Sequence, residues 1–144
     1  MGKQVLATPS AVSAMGPYSV AVAANGFVYF SGQVALLPDG GRAEDDIRVQ
    51  TRQVMENIGA LLDDVGLGFG DVIKTTIFMA DMADYAEINR VYAEYFTAAP
   101  PARSAVQAAA LPGGFLVEIE LVAAQRGPGT KEVGPTADII SAAR

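Results

Sequence analysis

One arginine and two glutamates interrupt an otherwise largely apolar stretch, PPARSAVQAAALPGGFLVEIELVAA, running from Pro100 to Ala124. The chain contains neither histidine nor cysteine, which excludes disulfides, thiolate catalysis and cysteine-ligated zinc and removes the commonest general base. Chemistry is left to carboxylates, guanidinium groups, hydroxyls, the backbone and water. Glu118 and Glu120 are two residues apart in a strand-like run, so they share one face while Val117, Ile119 and Leu121 share the other. With the apolar set turned to the core, both acids face outward. There they are hydrated, paired with a lysine or arginine, or functional. Arg103 follows Pro100-Pro101-Ala102 at the start of another strand-like run. The stiff approach fixes where its guanidinium projects, which suits two-point recognition of a carboxylate or, equally, an interface ion pair with an acid such as Glu120.

Three weaker signals lie elsewhere. GPYS, Gly16 to Ser19, sets a tight turn around Tyr18. FSGQ, Phe30 to Gln33, puts Ser31 and Gly32 at a strand end, where backbone N–H groups either hold a ligand oxygen or form a bulge. Asn89 sits on the polar flank of a helical pattern, a position that ordinarily faces solvent, and the aromatic stripe of that helix reads as core.

The elements that must position these residues follow from periodicity. From Asp46 onward Ile47, Val54, Met55, Ile58, Leu61, Leu62 and Val65 recur at helical spacing, and Gly66 marks the stop. A second helix is expected over Tyr85, Ile88, Val91, Tyr92, Tyr95 and Phe96, after Asp81 and Asp84 and before Pro100-Pro101. Strands are expected at Tyr18 to Ala23, Phe27 to Gln33, Val72 to Met79, Ser104 to Ala109 and Phe115 to Ala123, with a weaker one at Gln4 to Ala7. Asn25-Gly26 is a two-residue hairpin signal. This order predicts an α+β fold, a five- to six-stranded mixed sheet with two helices on one face. Strands such as FVYFSGQ and FLVEIELVAA carry apolar residues on both faces, so the uncovered face is expected to pack against further copies of the chain.

At 144 residues the chain has room for one domain and one core. It is expected to span residues 1–125, followed by a glycine- and proline-containing tail over residues 126–144. Ten Lys and Arg against 16 Asp and Glu give a net charge of −6, without the basic stripe that phosphate neutralisation requires, so nucleic acid is not an expected partner. No apolar run is long enough to span a bilayer and no signal peptide is recognisable, which makes a cytoplasmic protein without a membrane partner the expectation.

In order, GPYS, FSGQV, DVIKTTIFMADMADYAEINRVYAEYF, PPARSAVQAAALP and VEIELVAA resemble the motifs of the reactive-intermediate deaminase family, also called Rid or YjgF, over about Gly16 to Ala124. The resemblance implies a homotrimer with a fold like that of trimeric chorismate mutases, ligand clefts between subunits, and hydrolysis of reactive 2-enamino or 2-imino acids to 2-keto acids and ammonia. It places the carboxylate-binding arginine at Arg103 and the water-positioning glutamate at Glu118. The ligand-lining positions fall on Tyr18, Ser31 with its neighbour Gly32, and Asn89, and Glu120 is left as support. Where many members have a cysteine two residues after the arginine, this chain has Ala105, and imine hydrolysis needs no thiol.

Such chemistry implies neither metal nor cofactor, because an iminium carbon is already electrophilic and needs mainly a placed substrate and a placed water. Two other readings share the fold. One is a deaminase for a larger, pathway-specific enamine such as an aminomuconate. The other is a trimeric module that binds small carboxylates without turning them over. A ribonuclease or translation inhibitor is the least favoured, given the acidity and the missing histidine.

Overall fold

The computed structural model describes residues 2–12 and 14–127. Most of the stretch read as a tail, 128–144, lies outside the described residues. The elements, in chain order, are β1 (Gln4–Val5), β2 (Ala21–Ala24), β3 (Phe27–Gln33), α1 (Ile47–Asp64), β4 (Val72–Met79), α2 (Tyr85–Ala93), β5 (Ala102–Gln107) and β6 (Val117–Ala124). They build one six-stranded sheet in the order β1-β2-β3-β6-β4-β5. Only β4 and β5 run parallel, joined by the α2 crossover, which makes the sheet mixed as expected.

Local chemistry accounts for the elements. Asn25 and Gly26 both take positive φ, 52° and 85°, the geometry of the hairpin turn their sequence predicts between β2 and β3. α1 begins where the Asp46 carboxylate accepts from the backbone N–H groups of Arg48 and Val49 at 2.9 and 3.0 Å. It ends at Gly66, whose φ of 76° suits the residue after a helix. Its buried stripe includes Val54, Met55, Ile58, Leu61 and Leu62. The stripe also takes in Gln50, whose amide group donates to Asp45 Oδ1 while its carbonyl oxygen accepts from Leu116 N, so this buried amide is satisfied at both ends.

The differences from expectation have physical causes. β2 starts at Ala21 rather than Tyr18, because Tyr18 N–H turns back to Gly16 O and the Ser31 hydroxyl takes Ser19 O. β5 spans Ala102–Gln107 rather than starting at Ser104, because parallel pairing with β4 already begins at Lys74 and Ala102. Phe115 lies outside β6, beyond a turn in which Gly113 and Gly114 take φ of 74° and 70°, and packs into the core. α2 stops at Ala93. Tyr95 and Phe96 follow it and stack on Phe69, with ring centroids 5.4 and 5.3 Å away.

Alternation divides the sheet cleanly. Ala21, Val28, Phe30, Thr75, Ile77, Met79, Val117, Ile119 and Leu121 are buried beneath the two helices. The opposite face presents Val22, Phe27, Tyr29, Phe78, Val106 and Val122 among Lys74, Thr76, Ser104, Glu118 and Glu120. Tyr29 is 49% exposed and Val106 44%, so an apolar sheet face has no cover among the described residues. Among the described residues no helix is long and apolar enough to cross a membrane.

Candidate active site

The residues singled out from the sequence fall into two groups. The first surrounds the end of β3. Between Phe30 and Gln33 the register against β6 slips by one residue, a bulge that places Gly32 beside Glu118. A Cβ built on Gly32 would lie 2.9 Å from Glu118 Cδ and 3.1 Å from its Cγ. Only a glycine lets the glutamate lie flat over the strand here. Ser31 pins the preceding segment, its hydroxyl donating to Ser19 O at 2.7 Å and its N–H to Val20 O at 2.9 Å. Tyr18 stands next in that segment, its hydroxyl accepting from Met15 N at 3.3 Å. Tyr18 and Gly32 line a cavity of about 360 Å³ that reaches to Gln53 and Asn57 on α1.

Glu118 is half-buried, and among the described residues no hydrogen bond or ion pair engages its carboxylate. Burial holds its pKa above the usual 4.5, and the negative charge of Glu120 adds to the rise. The group is thus a stronger base, once ionised, than an ordinary surface glutamate. Glu120 itself is exposed on the open face opposite Thr76.

The second group surrounds Arg103 on β5. Arg103 pairs with Thr75, which is buried under the helices, so its side chain projects to the helix side of the sheet edge. The guanidinium carbon lies 5.0 Å from the centroid of the Tyr92 ring and 5.6 Å from that of Tyr85, within cation–π range of both. Nη2 donates to the Tyr85 hydroxyl at 3.1 Å. Tyr92 is fixed by its hydroxyl's 2.7 Å bond to Thr75 Oγ1, and burial raises its pKa against the lowering effects of that bond and of Arg103. Among the described residues no carboxylate lies within ion-pair distance of Arg103, so the ion pair with Glu120 does not form within the chain.

Asn89 stands one helical turn from Tyr85 on α2, and it does not face solvent. It is half-buried, and its Oδ1 is fully buried with no hydrogen-bond partner among the described residues. A buried carbonyl oxygen left unpaired costs free energy. Tyr85 and Tyr92 were read from the sequence as plain core. The signal that could have separated them from core was a pair of hydroxyl-bearing rings on the helix crossing between the strands of Thr75 and Arg103.

Within one protomer the two groups do not meet. Arg103 and Glu118 lie on strands either side of β4, roughly 10 Å apart across the sheet, and on opposite faces of it. One group sets a guanidinium on two tyrosine rings at the sheet edge, and the other sets a perturbed carboxylate over a glycine bulge.

Comparison with known proteins places this arrangement. Residues 8–125 match the family model described as Endoribonuclease L-PSP. The chain is 42% identical over 130 residues to the mouse 2-iminobutanoate/2-iminopropanoate deaminase, covering 90% of this chain and 96% of that one. It is 44% identical over 122 residues to Reactive Intermediate Deaminase A, chloroplastic, of Arabidopsis thaliana, covering 84% of this chain and 65% of that one. The crystal structure of the Rid-family protein YyfA from Yersinia pestis superposes with a TM-score of 0.82 at 46% identity, covering 85% of this chain and 99% of that one. A shared six-stranded fold, a match through nearly every described element and relatives of this identity together make the chain a member of the Rid/YjgF (Endoribonuclease L-PSP) family.

Proposed function

We propose that this protein is a hydrolytic deaminase of reactive 2-enamino and 2-imino acids, of the 2-aminoacrylate and 2-iminopropanoate type, releasing 2-keto acids and ammonia. It works as a homotrimer in which Arg103 of one subunit faces Glu118 of the next. The functional unit is residues 1–125, and its place is the cytoplasm. The observation that carries the reading is Arg103 held on a two-tyrosine platform with no acid among the described residues to neutralise it. A fixed, unpaired guanidinium at a sheet edge is built to receive a carboxylate. The names borne by the mouse and Arabidopsis relatives point to the same chemistry.

In the reaction the enamine first tautomerises to the imine, its β-carbon gaining a proton. Arg103 holds the α-carboxylate, and Asn89, one helical turn from Tyr85, lines the same end of the site. Glu118 takes a proton from water as the oxygen adds to C2, forming a carbinolamine. It delivers that proton to the imine nitrogen to complete the carbinolamine, then takes the hydroxyl proton and passes it to the nitrogen in turn, so that the C–N bond breaks and ammonia leaves a 2-keto acid. Tyr18 and the backbone around Ser31 and Gly32 line the side where water enters. A carboxylate whose pKa is raised by burial is matched to both halves of this transfer.

The apolar open sheet face supports the trimer, because it has no cover among the described residues. A ribonuclease role, which the family description names, is not supported by a chain of net charge −6 without histidine. The test is ammonia and pyruvate release from 2-aminoacrylate generated in situ by a serine dehydratase. Acceleration by the wild-type chain and not by Arg103→Ala is expected; equal rates with both proteins would overturn the proposal.

A further inference from the structure

We infer that the Tyr85 hydroxyl is a positioning residue for Arg103 and selects which edge of the guanidinium receives the substrate carboxylate. This rests on the deaminase reading above and adds a residue to it. A guanidinium has two edges that can each hold a carboxylate by parallel N–H···O bonds, and Nη2 supplies one hydrogen to each. In the structure one Nη2 hydrogen is committed to Tyr85 at 3.1 Å. That breaks one edge and leaves the other complete, so a carboxylate has one two-point seat rather than two.

The remaining geometry supports a device rather than an incidental contact. Tyr92 lies under the guanidinium, locked by Thr75 and almost fully buried, and provides the rigid floor. Tyr85, 41% exposed at the first residue of α2, is the outer wall. Its position is set by the turn before it, where Asp81 Oδ1 accepts from Ala83 N and Gln107 Oε1 accepts from Met82 N. A hydroxyl that accepts from arginine keeps its own hydrogen to donate. The same oxygen can therefore hold Arg103 and offer a third donor to the bound carboxylate.

The contribution is to binding, in the ground and transition states alike, and should appear in KM and not in kcat. The test compares Tyr85→Phe, Tyr85→Leu and Arg103→Ala in the full chain, with pyruvate affinity by calorimetry beside steady-state kinetics. Tyr85→Phe keeps the ring and loses only the hydroxyl. It should weaken pyruvate binding by roughly tenfold, the scale of one hydrogen bond to a charged group, and raise KM by the same factor while the melting temperature holds. Tyr85→Leu, which also loses the ring face, should be weaker still. Wild-type pyruvate affinity and KM in Tyr85→Phe, alongside lost binding in Arg103→Ala, would overturn the role of Tyr85 and leave the carboxylate clamp standing. Unchanged binding in Arg103→Ala would overturn the clamp itself.

Discussion

Arg103 and Glu118 project from opposite faces of the sheet, with β4 between them and their β4 partners, Thr75 and Phe78, three positions apart. A ligand a few atoms long cannot touch both within one chain. The arginine stands on aromatic rings at the parallel edge of the sheet, and the glutamate stands over a glycine bulge near its centre. The proposed site therefore needs a second subunit, with Arg103 of one chain brought to Glu118 of the next.

Arg103→Lys tests the fork. The charge survives but the planar pair of donors does not. Loss of one charge-assisted two-point contact should lower kcat/KM by about 2–4 kcal/mol, roughly 30- to 1,000-fold. Assays of 2-iminopropanoate hydrolysis on a variant of unchanged melting temperature check it.

The pH profile tests Glu118. It must be ionised to accept the water's proton, and burial together with Glu120 raises its pKa above 4.5. The acid limb of kcat/KM should therefore lie above the ordinary glutamate range, and Glu120→Gln, by removing the neighbouring charge, should move that limb down. The sign for stability is opposite to that of a paired carboxylate. With the folded pKa above the unfolded one, the folded chain holds this proton more tightly. The advantage is full below the unfolded value and lost as pH rises through the folded one. Denaturant midpoints of Glu118→Gln should fall less than those of wild type across that window.

Gly32→Ala tests the bulge. The new methyl would meet the Glu118 side chain, 2.9 Å from Cδ, so the carboxylate must move away. Displacement of a reacting group by about 1 Å costs on the order of 100-fold in rate. Turnover should drop by that scale with little change in the oligomer, as measured by steady-state assay and gel filtration.

Tyr29→Lys tests the open sheet face. Tyr29 is 49% exposed and lies beside Val122 and Val22. A charge buried there without a partner costs several kcal/mol. Sedimentation should show monomers, and activity should vanish with the trimer although each chain stays folded.

Much of this was legible in the residues themselves. Asn25-Gly26, the Asp46 cap and the stripe from Val54 to Leu62 each combine local preference with the right period, and such signals survive folding. The shared face of Glu118 and Glu120 follows from alternation alone. Other features are tertiary. FSGQ fits a bulge and a ligand loop equally, and only the register against β6 puts Gly32 under Glu118. The edge strand ARSAVQ has no clean alternation, so the side taken by Arg103 was not readable. Nor was the platform. Helical spacing marks Tyr85 and Tyr92 as an aromatic stripe, but the crossover that carries α2 past β5 is what sets them beneath a guanidinium.

The most direct measurement is subunit complementation between Arg103→Ala and Glu118→Ala, each inactive as a pure oligomer. Unfolded together and refolded at equal concentrations, they should regain about a quarter of wild-type activity, because random assembly joins an intact Arg103 to an intact Glu118 at that fraction of boundaries. Mixed oligomers that form but stay as inactive as their parents would contradict a site shared between subunits.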